Sequence, residues 1–199
     1  MTPFILYLTF ILIAVIIRVA VQYRTTDDSG LRIVQMRSFD VAFYASIFLI
    51  LGFVITFGST ILDVFRLFDT NPLGGSSGKV LGVVLSLSGI VIIGVAQLQM
   101  GKSWRVGVDP HEKTALVTHG LFHYIRNPIY SGVIVFVSGL LTLLPNPLMF
   151  IGSVIGFIGI QLQVRFVEEP QLIKYHGSDY LNYAKQVGRF VPLIGKISG

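Results

Sequence analysis

Five long apolar runs, separated by short polar or turn-forming segments, constrain this chain more than any other feature. They fall at about residues 3–22, 39–62, 80–100, 128–144 and 148–164. Each approaches the ~20 residues a helix needs to cross a hydrocarbon core. In lipid the backbone must satisfy its own polar groups, so such runs form helices. Of the 199 residues, 53% are hydrophobic and only 13% charged, about half the charged share of an ordinary soluble domain. The expectation is an all-α integral membrane protein with about five transmembrane helices. The first run is too long, and too poor in positive charge at its start, for a typical cleavable signal peptide. Leu144-Pro145-Asn146-Pro147 is a turn signal too short for anything but a helical hairpin.

The polar tail, 165–199, carries Leu172, Tyr175, Tyr180, Tyr183 and Val187 near helical spacing. It reads as an interfacial amphipathic helix followed by a Pro-broken end. Tyr130, Tyr175, Tyr180 and Tyr183 read as aromatics of the membrane interface, with Tyr130 the best placed for a ligand contact. Two parts are expected: a three-span region, 1–100, and a region 101–199 made of a polar insert, the hairpin and the tail. No internal repeat is visible.

Positive charge sets the orientation. Twelve Lys and Arg fall in 23–38, 101–127 and 165–199, against two, Arg66 and Lys79, in 63–79. The bias puts the N-terminus outside, and the insert and tail together on the cytoplasmic face. Arg18 lies a turn from the inner end of the first run, where it can snorkel to headgroups. With no cysteine, disulfides, thiolate metal sites and cysteine nucleophiles are excluded. His119 and His123, with Asp109, His111 and Glu112 nearby, make no compact ligand set, so no metal is expected.

The insert and the tail hold the candidate chemistry. Asn127-Pro128 reads as a helix start, whose positive dipole end attracts carboxylates and phosphates. Arg126 beside it is either an anion ligand or a headgroup anchor. Gly120 suits a positive-φ turn or the close approach of a ligand, and is equally an ordinary loop glycine. Glu168-Glu169 follow the last span, with Arg165 a turn earlier. Either they serve a ligand, or they form a solvated helix end with an Arg165–Glu169 pair. Pro170 is expected to break the helix and aim both carboxylates.

The order of these pieces is more informative than any one of them. LVTxGxFxxxRNPxYxG, a span hairpin, EEPxLxxxxGxxYxxY and Val-Gly-Arg-Phe-Val-Pro follow in turn across about 101–192. This order resembles the isoprenylcysteine carboxyl methyltransferase family, in the wider group with phospholipid N-methyltransferases. The size and Cys-free form look like a prokaryotic, archaeal-type member. The resemblance implies an S-adenosylmethionine site without a Rossmann domain, held by Leu116, Val117, His119, Gly120, Phe122, Arg126, Asn127, Pro128, Tyr130, Glu168 and Glu169. It implies that Arg165 and Glu168 serve catalysis: the family's prenylcysteine enzymes carry, just before the glutamates, an arginine that holds the substrate carboxylate, and Arg165 lies close to that place. The family's common Arg-His-Pro is Arg-Asn-Pro here, so no histidine acid/base role transfers. The implied acceptor is lipid-like, a prenylcysteine-type carboxylate or a phospholipid amine, with no nucleic acid and no obligate protein partner.

Two other classes compete. A steroid-reductase-like membrane enzyme would need extra basic and amide residues for a nicotinamide 2′-phosphate, and few are present. A transporter would carry ionisable groups at mid-span, and runs two to five have none.

Overall fold

A computed structural model describes residues 1–28, 40–68, 70–104 and 115–197. Four helices are long and apolar enough to cross a membrane: α1 (Thr2–Thr26), α2 (Val41–Val64), α3 (Gly75–Ser103) and α5 (Pro147–His176). Between the last two lies a shorter apolar helix, α4 (Pro128–Leu143). A polar helix, α6 (Ser178–Gln186), follows α5. The expected membrane bundle is present, with the fourth apolar helix shorter than a full span. Large apolar side chains such as Ile5, Val54, Val91 and Phe150 are exposed along it, a surface suited to lipid and a liability in water.

Backbone proximity organises the bundle. α4 packs along α3, and α5 along α2, with α1 crossing beside them. The first pair approaches through glycines: a Cβ at Gly89 would lie 2.6 Å from the Gly132 carbonyl oxygen, and one at Gly139 2.6 Å from that of Gly82. On the second pair a Cβ at Gly52 would sit 2.5 Å from the Gly156 Cα. Small residues let helices approach in lipid, where dispersion and not the hydrophobic effect drives association. These pairings interleave 1–100 with 101–199 in one bundle. α1 adds the aromatic centre: Phe10 stacks on Phe136 at 4.5 Å between centroids, and the Tyr7 hydroxyl meets Thr56 Oγ1 at 2.8 Å.

Polar contacts identify the two ends. At one, the amino terminus meets Asp63 at 3.3 Å, Leu73 N–H donates to the Thr142 carbonyl, and Ser59 bonds Asn146 at 3.0 Å. Asn146 also caps α5 by accepting from Met149 N–H at 2.8 Å, with Pro147 in the first helical turn. The Leu-Pro-Asn-Pro hairpin is thus as the sequence predicts. The opposite end gathers 101–104, 120–130 and 163–197, so the insert and the tail do share one face.

One expectation changes here. Pro170 does not break α5. The preceding turn, Gln163–Glu168, widens to π geometry and the helix continues to His176. A wider turn relieves the clash between a proline ring and the carbonyl four residues before it. The tail forms the expected amphipathic helix, with its apolar face turned inward. Tyr180, Ala184 and Val187, one face of α6 and its exit, are buried against the polar insert. Gly188 bridges to Ile125, and the Gly188 and Arg189 carbonyls accept from Arg126 and Asn127 N–H at 2.8 and 3.1 Å.

Candidate active site

The polar end is built from three segments that the sequence keeps far apart. The α-helical turns of α3 stop at Gly101, whose positive φ of 52° tightens its last residues, Gly101–Ser103, into a turn that leads to Trp104. The chain re-enters at Ala115 and makes a short turn, Gly120–His123, that leads to Asn127 and α4. Gly120 does adopt a positive φ, 62°. The group that approaches it is Gln99 of α3: its side chain accepts from Leu121 N–H at 2.8 Å, and a Cβ on Gly120 would collide with it at 2.3 Å.

Between these segments lies a cavity of about 430 Å³. α1 lines it with Phe10 and Ala14, α3 and its turn with Gln97, Met100 and Trp104, and α4 with Pro128 and Tyr130. The end of α5 contributes Glu168, Leu172 and Tyr175, and α6 contributes Tyr180 and Tyr183. Of the residues expected from the sequence, Leu116, Val117, Phe122, Arg126, Asn127, Pro128, Tyr130 and Glu168 line this space. His119 and Gly120 are exposed outside it.

The adjacent carboxylates part company. Glu168 faces the cavity; its Oε1 accepts from the Tyr130 hydroxyl at 2.5 Å and from Gln163 Nε2 at 3.2 Å. Glu169 turns the other way and is buried between two arginines. Arg126 gives it bonds of 3.1 and 2.8 Å, and Arg189 a fork of 2.8–3.1 Å. Arg126 also donates to the carbonyls of Ala184, Val187 and Gly195. Its guanidinium is therefore occupied by the tail, and is not left to hold an anion. A buried charge pair with every donor used locks two segments in register, and it penalises removal of either partner.

Other expected pairs resolve differently. The Arg165–Glu169 pair does not form: Arg165 is exposed, with Nε donating to Gln161 at 2.8 Å, and it does not line the cavity. Asn127 occupies the N-cap position of α4 without a side-chain cap bond; its Nδ2 donates to the Arg189 carbonyl at 3.3 Å. Arg18 is 5% exposed and does not snorkel. Tyr180 and Tyr183 are wall residues and not belt aromatics. Burial pushes the Tyr183 phenol up to about 12 and the Tyr180 phenol higher still, so both remain neutral donors. The Tyr183 hydroxyl donates to the Phe122 carbonyl at 2.5 Å.

Among the described residues no cluster of three metal-ligating side chains occurs, and Asp109, His111 and Glu112 lie outside them. Sequence reasoning missed Gln97, Met100 and Trp104. The usable signal was the sole tryptophan, placed directly after an apolar run and before the polar insert.

Fold and cavity together define a polytopic helical membrane protein with a ligand-sized site at one polar end. The family model described as phospholipid methyltransferase matches residues 78–179, and the chain belongs to that family. It is 31% identical over 118 residues to the protein-S-isoprenylcysteine O-methyltransferase of Xenopus laevis, covering 58% of this chain and 41% of that one. Protein-S-isoprenylcysteine O-methyltransferase A of Arabidopsis thaliana is 28% identical over 115 residues, 57% of this chain and 58% of its own. The methanethiol S-methyltransferase of Crocosphaera subtropica is 30% identical over 83 residues, 41% of this chain and 31% of its own. The chain thus spans 41% and 58% of the lengths of the Xenopus and Arabidopsis proteins. The solved eukaryotic intramembrane Ras methyltransferase, an isoprenylcysteine carboxyl methyltransferase, superposes with a TM-score of 0.58 at 22% identity, over 91% of this chain and 62% of that one. The two share a fold.

Proposed function

We propose that the chain is an S-adenosylmethionine-dependent membrane methyltransferase acting on a lipid-like acceptor. One observation carries this reading. The cavity at the polar end adjoins a second, more apolar one of about 400 Å³ among α1, α2, α4 and α5, and Phe10, Leu49 and Val133 line both. A water-soluble cofactor and a membrane-borne acceptor can therefore meet without either leaving its own phase.

The lining suits the cofactor. A volume of about 430 Å³ lies within the range of small-molecule sites. Glu168 offers a carboxylate to a cationic amine or sulfonium, and the aromatic side chains that line the space, among them Tyr130 and Tyr175, suit a sulfonium or a planar base. When bound, the cofactor supplies an electrophilic methyl on a sulfonium that departs as a neutral thioether. What the chain contributes is alignment and exclusion of water. Tyr130 holds the Glu168 carboxylate by its hydroxyl, and the Glu169 knot holds the tail helix that closes the cavity floor.

For the acceptor, the names of the Xenopus and Arabidopsis relatives favour a prenylcysteine-type carboxylate, which needs no base. A second reading, a phospholipid amine, is favoured by Glu168, a carboxylate that lines the cavity while Arg126 and Arg189 are both paired with Glu169. An amine must lose a proton to react. S-adenosylhomocysteine titration by calorimetry tests the cofactor, and labelled-methyl transfer to carboxylate and amine lipids tests the acceptor. No binding and no transfer would sink the proposal.

The N-terminus is proposed to lie outside and the cavity on the cytoplasmic face, supported by the twelve-to-two split of positive charge. The chain has no cysteine, so single cysteines at exposed Ser76 and Ser178 report sidedness cleanly. An impermeant maleimide applied to intact cells should label the first and not the second.

A further inference from the structure

We propose that Arg18, in the first span, is a positioning residue for the polar cavity and acts through Trp104. A charged side chain at this depth is costly unless it is paired or does specific work. Arg18 is 5% exposed and Trp104 3%, and the guanidinium carbon lies 4.8 Å from the indole centroid. Its Nη2 donates to Gln22 Oε1 at 2.8 Å and to the carbonyl of Gly101, where the α-helical turns of α3 end. A cation at a helix C-terminus satisfies orphan carbonyls and opposes the negative dipole end. Among the described residues Nε has no hydrogen-bond partner, so the indole face is what meets that side of the charge.

Two further side chains fasten the same junction. Gln22 Nε2 donates to the Lys102 carbonyl at 3.2 Å, and Gln97 Nε2 to the Ala14 carbonyl at 2.8 Å. Apolar packing alone would join α1 to α3 without the desolvation cost of an arginine. What the arginine adds is a fixed plane against which Trp104, a wall of the cavity with Met100 and Ser103, is held. Arg18 precedes the 78–179 region that the family model matches.

The ligand half of this inference rests on the cofactor reading; the Trp104 half does not. Trp104 is the only tryptophan in the chain, so its emission reports the wall directly. In purified protein, acrylamide quenching of Trp104 is measured without ligand, followed by titration with S-adenosylhomocysteine. Arg18→Met is expected to raise the quenching constant at least about twofold and to weaken the ligand about tenfold, the scale of one lost desolvated cation–π contact with its hydrogen bonds. Arg18→Lys should fall between the two.

Quenching and affinity both within twofold of wild type, whatever happens to the thermal midpoint, would make Arg18 a structural pin only and overturn the proposal. Should Arg18→Met not fold, Gln22→Leu removes one of its acceptors. It must shift quenching in the same direction, and unchanged quenching overturns the proposal. If wild type binds no S-adenosylhomocysteine, the cofactor reading fails, and the quenching comparison still decides whether Arg18 positions Trp104.

Discussion

Glu168 and Glu169 are consecutive carboxylates at the end of one helix, yet they belong to different regions of the molecule. Glu169 is enclosed by Arg126 and Arg189 in a knot that ties the insert to the tail. Glu168 faces a cavity and is held by one phenol and one amide. The knot sets one carboxylate between two guanidiniums, and every donor of Arg126 is already spent on Glu169 and the tail carbonyls. The wall has a carboxylate whose partners are neutral, the arrangement expected where a cationic ligand is to arrive. A repeated acidic pair in a sequence therefore need not be a paired site: one member builds the frame that the other uses.

Breaking the knot should have the largest effect. Glu169→Ala leaves two arginines facing each other, one of them fully enclosed, and is expected to cost about 3–5 kcal/mol. A collapse of the folded fraction in size-exclusion chromatography and thermal melts would show it. Gly156→Leu should be milder and of another kind. A Cβ there would meet only the Gly52 Cα, at an ordinary 3.7 Å, and the rest of the side chain is expected to take up space in the apolar cavity that Gly156 lines. KM for long-chain acceptors should rise several-fold with S-adenosylhomocysteine affinity unchanged. Tyr130→Phe removes the strongest support of Glu168 and should weaken cofactor affinity by about fivefold, roughly 1 kcal/mol for one hydrogen bond, with stability nearly intact. Arg165→Ala should do least. The exposed side chain touches neither region, so stability should stay within about 0.5 kcal/mol. An order-of-magnitude loss of methyl transfer in this variant would place the acceptor site elsewhere.

Features governed by local pattern were legible in the sequence. The apolar runs, the Leu144–Pro147 hairpin, the α4 start at Asn127-Pro128 and the positive φ at Gly120 all follow from periodicity and turn chemistry. So did the sharing of one face by insert and tail, because positive charge records sidedness. What could not be read were partners supplied from a distance. Arg126 looks like a free cation until Glu169, 43 residues later, and the carbonyls at 184, 187 and 195 surround it. Arg18 looks like a headgroup anchor until the end of α3 folds against it. The split of Glu168 from Glu169 depends on the wide turn at Gln163–Glu168, which carries no clear composition signal. The tyrosines of α6 look interfacial by composition because an aromatic with a polar tip suits both a membrane edge and a cavity wall.

The central claim is that Glu168 serves a ligand while Glu169 serves the fold. Calorimetric titration of Glu168→Gln with S-adenosylhomocysteine, alongside its thermal midpoint, tests it most directly. The account predicts a variant that melts within a few degrees of wild type, since about 1 kcal/mol or less is lost, and that binds at least about tenfold more weakly. Wild-type affinity in a folded Glu168→Gln protein would contradict it.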